Sequence, residues 1–147
     1  MTEKNDPLAI ALFSEIAMAD QLARAQLTRA LPKGMEVSHF SVLNHLAHVG
    51  GERTPAQLAR LFHVTKGAMT NTLGKLEKAG YIHIRPDWDD ARRKFVGLSP
   101  AGRRARDDAA RAVAPVFDST VSALGADKIR AALPFLRELR GRLEQEE

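Results

Sequence analysis

Residues 65–80 read Thr-Lys-Gly-Ala-Met-Thr-Asn-Thr-Leu-Gly-Lys-Leu-Glu-Lys-Ala-Gly. Thr65 offers the side-chain oxygen that a helix N-cap needs, and Gly80 the left-handed residue that commonly closes a helix. Between them Met69, Leu73 and Leu76 recur at spacings of four and three and line one face with apolar side chains. Lys66, Thr70, Asn71 and Lys75 point elsewhere, onto a cationic, hydrogen-bonding face. A DNA major groove asks for that chemistry, since base edges present donors and acceptors and the flanking phosphates repel carboxylates. An ordinary amphipathic surface helix shows the same pattern, so the neighbouring segments decide between the two.

Immediately upstream, Thr54-Pro55-Ala56-Gln57 is a capping box of the T-x-x-Q kind with proline at the first helical position. It opens a short helix through Leu58, Leu61 and Phe62, and His63-Val64 turns the chain straight into Thr65. Two short helices joined so tightly, the second with a polar outer face, make a helix-turn-helix. Downstream of Gly80 the period changes to alternation. Tyr81 to Arg85 reads as a strand, Pro86 to Ala91 as a loop and Arg92 to Leu98 as the returning strand. A hairpin with a charged tip in this position is the wing of a winged helix. Its arginines suit a narrow minor groove, where negative potential is concentrated. Asp90 is read as a clamp on Arg92 through a carboxylate–guanidinium pair; a solvated mixed-charge turn is the alternative.

The flanking segments are helical. Asp6-Pro7 is expected to open a first helix that runs to Leu31, apolar over a wide arc that includes Phe13 and Met18. Burial against a partner subunit and burial within the chain's own fold both explain that arc. Ser38 is expected to cap a second helix ending at Gly50-Gly51 and carrying His39, His45 and His48. Ser99-Pro100 opens an alanine-rich helix, with a kink expected at Pro115 and with Arg103, Arg104 and Arg106 placed to touch phosphates. A final helix carries Ile129, Leu133, Leu136, Leu139 and Leu143, with a bend at Pro134, and ends in an acidic Glu-Gln-Glu-Glu.

At 147 residues and 44% apolar content, the chain is long enough for one domain with a real core. Its net charge of +4 is concentrated: residues 60–106 alone carry +7, as expected where a polyanion docks. The lack of cysteine removes disulfides, thiolate metal sites and cysteine redox switches. The polar, acidic first residues do not form a signal peptide, and no run approaches the roughly 18 apolar residues of a membrane span. A cytoplasmic protein without membrane contact is expected.

Three elements in succession, Leu76-Glu77-Lys78-Ala79-Gly80, Asp87 through Arg92, and Leu98-Ser99-Pro100-Ala101-Gly102, together with Gln57-Leu58-Ala59, resemble the MarR family of bacterial transcriptional regulators. The tight resemblance covers about a third of the chain, and the remaining helices agree in order and length. Asn71, Gly74, Trp88 and Ala91 depart from the family pattern, in which basic, polar, proline and basic residues are usual there. The resemblance implies a mainly α fold with a small β-hairpin wing: a winged helix-turn-helix lobe over residues 36–98, dimerisation helices over 7–31 and 99–147, and a single domain over 1–147. It also implies a homodimer bound to a palindromic operator on double-stranded DNA, and control by a small aromatic effector.

The expected DNA-binding set is Lys66, Gly67, Ala68, Thr70, Asn71 and Lys75 at the major groove, Arg92 and Arg93 at the minor groove and Lys94 on phosphate, with Asp90 orienting the wing. Asn71 suits adenine N6 and N7 better than guanine. Glycine inside a helix costs about 1 kcal/mol relative to alanine, so Gly67 and Gly74 ask for a reason, and close approach to DNA is one. Phe13, His39 and His45 are candidate walls for the effector. The expected function is a sequence-specific transcriptional regulator, read as a repressor. A winged helix serving only protein contact and a metal-sensing regulator are the alternatives, the latter requiring the histidines to converge. No cofactor or metal is assigned, and no nucleophile with its base, phosphate loop or acid pair suggests an enzyme.

Overall fold

Local capping chemistry sets most of the helix ends in the computed structural model, which describes residues 2–145, with side chains from Pro7 onward. Eight elements follow in order: α1 Thr2–Ala30, α2 Val37–Val49, α3 Pro55–Leu61, α4 Lys66–Lys78, β1 Ile82–Pro86, β2 Lys94–Leu98, α5 Pro100–Leu124 and α6 Ala126–Gln145. The fold is mainly α with a two-stranded antiparallel wing.

Thr54 and Gln57 form the reciprocal box at the start of α3, each side chain bonding the other's backbone N–H. Thr65 accepts from the Ala68 N–H at 3.0 Å and caps α4. α4 ends in a complete Schellman motif: Tyr81 N–H donates to the Leu76 carbonyl and Gly80 N–H to that of Glu77, with Gly80 at φ +81°. The same motif ends α3, where His63 takes the left-handed position at φ +53° and so makes the turn of the helix-turn-helix.

Three local expectations are corrected. α1 begins at Thr2 rather than at Pro7, which lies inside it; a proline so near the start costs one backbone hydrogen bond of a helix 29 residues long. The side chain of Asp6, expected near that cap, lies outside the described residues, as do Glu146 and Glu147 of the acidic end. The N-cap of α2 is Glu36 and not Ser38. The Glu36 N–H donates to His39 Nδ1 at 3.1 Å, which sets the helix start two residues earlier. In the wing, Arg92 and Arg93 belong to the turn and β2 starts at Lys94, because Arg93 N–H donates to the Asp90 carbonyl and Asp87 N–H to that of Arg93. Tyr81 stands before β1, its backbone taken by the end of α4 and the start of α5. α5 and α6 each continue through their prolines as one element.

The chain divides into two compact units, Met1–Ala112 and Val113–Glu147. The core of the first is one cluster: Val42, Leu43 and Leu46 from α2, Leu58 and Ala59 from α3, Met69, Leu73 and Leu76 from α4, and Ile82 and Val96 from the wing. A fully buried leucine contributes about 1.5–3 kcal/mol, so the helix-turn-helix and the base of the wing are fixed by common burial. Arg53 adds a single antiparallel bridge to Val96 and covers one edge of the hairpin. Ser99 joins α4 to α5: its hydroxyl donates to the Gly80 carbonyl at 2.6 Å and accepts from the Gly102 N–H at 2.9 Å. In the second unit, the end of α5 meets α6 at Gly125, φ +98°. α6 has no buried residue and exposes Leu133, Phe135, Leu136 and Leu143. No helix among the described residues is long and apolar enough to cross a membrane.

Candidate nucleic-acid interface

With Met69, Leu73 and Leu76 buried, α4 turns the centre of its opposite face to solvent at Gly67, Asn71 and Gly74. The flanks of that face go different ways. Lys66 and Thr70 stand on the side of the wing and share a cleft of about 290 Å³ with Arg92, Arg93, Lys94 and the first residues of α3, Thr54 to Ala56. Ala68 and Asn71 line a separate groove with Arg24, Ser38 and Ser41. Lys75 faces a third hollow, of about 520 Å³, with Lys33, His39 and Tyr81. The candidate set is therefore one continuous helix face, of which only Lys66 and Thr70 are brought into one cleft with the wing cations. Among the described residues, neither Lys66 nor Lys94 is held in an ion pair.

The wing is stiffened by two carboxylate–guanidinium pairs. Arg92 donates from Nε to Asp90 Oδ1 at 3.1 Å and from Nη2 to Oδ2 at 3.4 Å, and its backbone N–H bonds the same Oδ1 at 3.0 Å. The Arg92 side chain is nonetheless 90% exposed, so the pair aims the group without covering it. The Arg92 guanidinium and backbone N–H hold the Asp90 carboxyl below its ordinary range. Arg93 donates from Nε to Asp87 Oδ2 at 3.1 Å, and Asp87 is buried. The Asp89 backbone N–H, donating to Asp87 Oδ1 at 2.9 Å, is the first cause that keeps Asp87 ionised, with Arg93 adding to it against the opposing effect of burial. Arg93, expected at the minor groove, is thus partly spent on the fold of the tip.

Two basic side chains have roles that local spacing did not reveal. Arg85 makes a two-point pair with Glu52, from Nε to Oε2 at 2.9 Å and from Nη2 to Oε1 at 2.8 Å, and its guanidinium lies 4.9 Å over the Phe95 ring. This ties the base of the wing to the segment before α3 across 33 residues of sequence. Arg106, expected at phosphates, turns inward instead: its Nε donates to Asn44 Oδ1 at 3.1 Å and it pairs with Asp107.

The three effector candidates do not converge. His39 is occupied by the cap of α2 and lines the hollow beside Lys75. His45 packs edge-on against Phe62, 5.9 Å between ring centres, in another hollow of about 480 Å³, and Phe13 lines neither. Among the described residues, no group of three or more His, Cys, Asp or Glu side chains is placed to hold a metal ion. His48 bonds the Asn44 carbonyl through Nδ1.

Residues 33–93, from the loop before α2 to the wing tip, match the model of the MarR family. The chain is 27% identical over 99 residues to the transcriptional activatory protein BadR of Rhodopseudomonas palustris, an alignment covering 65% of this chain and 57% of that protein. Its fold matches that of the transcriptional regulator BldR from Sulfolobus solfataricus, with a TM-score of 0.82 at 24% identity over 97% of this chain and 99% of that one. It also matches a mutant MarR from E. coli complexed with operator DNA, with a TM-score of 0.78 at 23% identity over 92% and 96% of the two chains. The family model thus covers the helix-turn-helix, the first strand of the wing and its turn, and the fold of the whole chain is similar to that of these structures.

Proposed function

We propose that this chain is a transcriptional regulator of the MarR kind and not an enzyme, that it binds a pseudo-palindromic operator on double-stranded DNA as a homodimer, and that it represses by occupying it. The observation that carries the reading is the cleft in which Lys66 and Thr70 of α4 meet Arg92, Arg93 and Lys94 of the wing, next to the N-terminus of α3. One helix face with Lys66, Gly67, Ala68, Thr70, Asn71 and Lys75 enters the major groove. Arg92, aimed by Asp90, enters the minor groove, and Lys94 contacts phosphate. Arg93 contributes charge while anchored to Asp87.

Dimerisation is supported by apolar surface that one chain leaves open: Leu8, Ile10, Met18 and Leu22 on α1, each more than half exposed, and Phe135 on α6 at 52%. An effector fits best in the hollow of His39, where Lys33 and Lys75 offer cations to a carboxylate and Met35, Leu76 and Tyr81 offer apolar wall. Occupancy there acts on Lys75 of the reading helix directly.

Selection of bound duplexes from a random-sequence pool, followed by footprinting, tests the reading. Two half-sites of inverted sequence, one helical turn apart, are expected. Recovery of no common sequence, or of a single unrepeated site, contradicts it. Repression is checked by placing the selected site in a reporter promoter.

A further inference from the structure

Trp88 is the single tryptophan of the chain, and at 81% it is the most exposed large apolar side chain among the described residues. It adds nothing to the core, yet the residues on either side of it are held by hydrogen bonds of the turn. Asp87 and Asp89 on either side are joined by the Asp89 N–H to Asp87 Oδ1 bond, the Asp87 N–H bonds the Arg93 carbonyl, and Arg93 bonds both Asp87 and the Asp90 carbonyl. The exposed indole packs on no part of the core, so burial does not explain it. It shares the tip with Arg92, the guanidinium that Asp90 aims outward.

The charges around it decide what it meets. Asp87 is paired with Arg93 and Asp90 with Arg92, and Asp89 adds a third acid, so residues 87–93 carry no excess positive charge for a purely ionic grip on phosphates. The minor groove offers something else, since its walls are deoxyribose faces and its floor is the edge of the base stack. Proteins that enter this groove commonly pair cationic side chains with apolar ones that pack on sugars or wedge between base steps.

Building on the proposed operator binding, we infer that Trp88 is a DNA-contacting residue of the wing, its indole packing in the minor groove beside Arg92. The contact is apolar, so it adds affinity that salt does not screen, and it favours steps that open easily, such as TA and CA.

The experiment uses the whole 147-residue chain and the selected duplex. Tryptophan emission, excited where tyrosine does not absorb, reads Trp88 alone, while anisotropy of a labelled duplex reads binding independently. Saturation with duplex is expected to change the emission and to protect it from acrylamide quenching. Trp88→Ala is expected to weaken binding roughly tenfold with an unchanged salt slope, and Trp88→Phe to restore most of the loss. An unchanged thermal midpoint in both variants shows that the fold is intact. If anisotropy reports specific binding while emission, quenching and the Trp88→Ala affinity stay unchanged, Trp88 is not in the groove and the operator reading survives. Should no duplex bind specifically, both fail. Emission changed by dimerisation but not by DNA assigns the indole to a subunit contact and overturns the inference.

Discussion

Asp87 and Arg93, six residues apart, lock the wing tip from both sides: the guanidinium bonds a buried carboxylate while the backbone of each residue also pairs, Asp87 N–H to the Arg93 carbonyl at 3.0 Å. Asp90 and Arg92 form the complementary pair, exposed where the first is covered. One arginine therefore builds the tip and the next one is presented by it. The two should fail differently. Arg92→Ala is expected to lower operator affinity on the order of tenfold with the thermal midpoint unchanged. Asp90→Asn keeps the Arg92 charge but frees its direction and should lose less. Arg93→Ala should lower both affinity and protection of the tip amides from hydrogen exchange. Equal effects of Arg92→Ala and Arg93→Ala on exchange would contradict this division.

Gly67 and Gly74 sit in α4 with ordinary helical geometry, and a Cβ at either would meet no atom of the chain within 4 Å. Nothing in the fold requires them. Replacing either by alanine should stabilise the helix by about 1 kcal/mol. If the operator backbone approaches this face closely, the same variants bind DNA more weakly despite being more stable. Thermal melts and anisotropy on one preparation separate the two effects, and alanine variants that gain stability with full affinity would show the glycines to be incidental.

Gly102 is the opposite case. A Cβ there would collide with the Tyr81 carbonyl oxygen and lie 2.9 Å from Leu98 Cδ1, where α5 starts against the end of α4. Gly102→Ala is expected to destabilise by about 1–3 kcal/mol, read in a denaturant titration, since backbone must move to admit it.

How far these features were legible depends on their range along the chain. The ends of α3 and α4 were readable because Thr54, Gln57, Thr65 and Gly80 act on backbone within four or five residues of themselves. Glu36 was missed as the cap of α2 because its reciprocal partner is His39, a residue outside the usual Glu or Gln pattern. The Arg85–Glu52 and Arg106–Asn44 contacts join segments 33 and 62 residues apart, and periodicity carries no trace of them. The polar face of α4 was legible as a face, but which flank meets the wing depends on packing around Leu58, Leu73 and Val96.

Burial, and then the charges of Arg53 and His48, lower the pKa of His45 below its ordinary 6.5. A group depressed in the folded state contributes stability above its unfolded pKa and loses it as pH falls through the folded value. Stability should therefore decline as pH drops below 6.5. His45→Phe, which keeps an aromatic ring against Phe62, should flatten part of that decline relative to wild type. Identical pH profiles for the two proteins in urea titrations would remove His45 from the account.

Whether the α4 and wing cleft reads DNA is decided by a salt series of anisotropy titrations on the selected duplex and a scrambled one, with wild type, Lys66→Ala and Lys94→Ala. A DNA-reading surface should bind the selected duplex at least about a thousandfold more tightly than the scrambled one. The salt slope should fall by about 1 for each phosphate contact a lysine variant removes. Equal binding to both duplexes, with a slope that neither variant changes, would contradict the DNA-reading role.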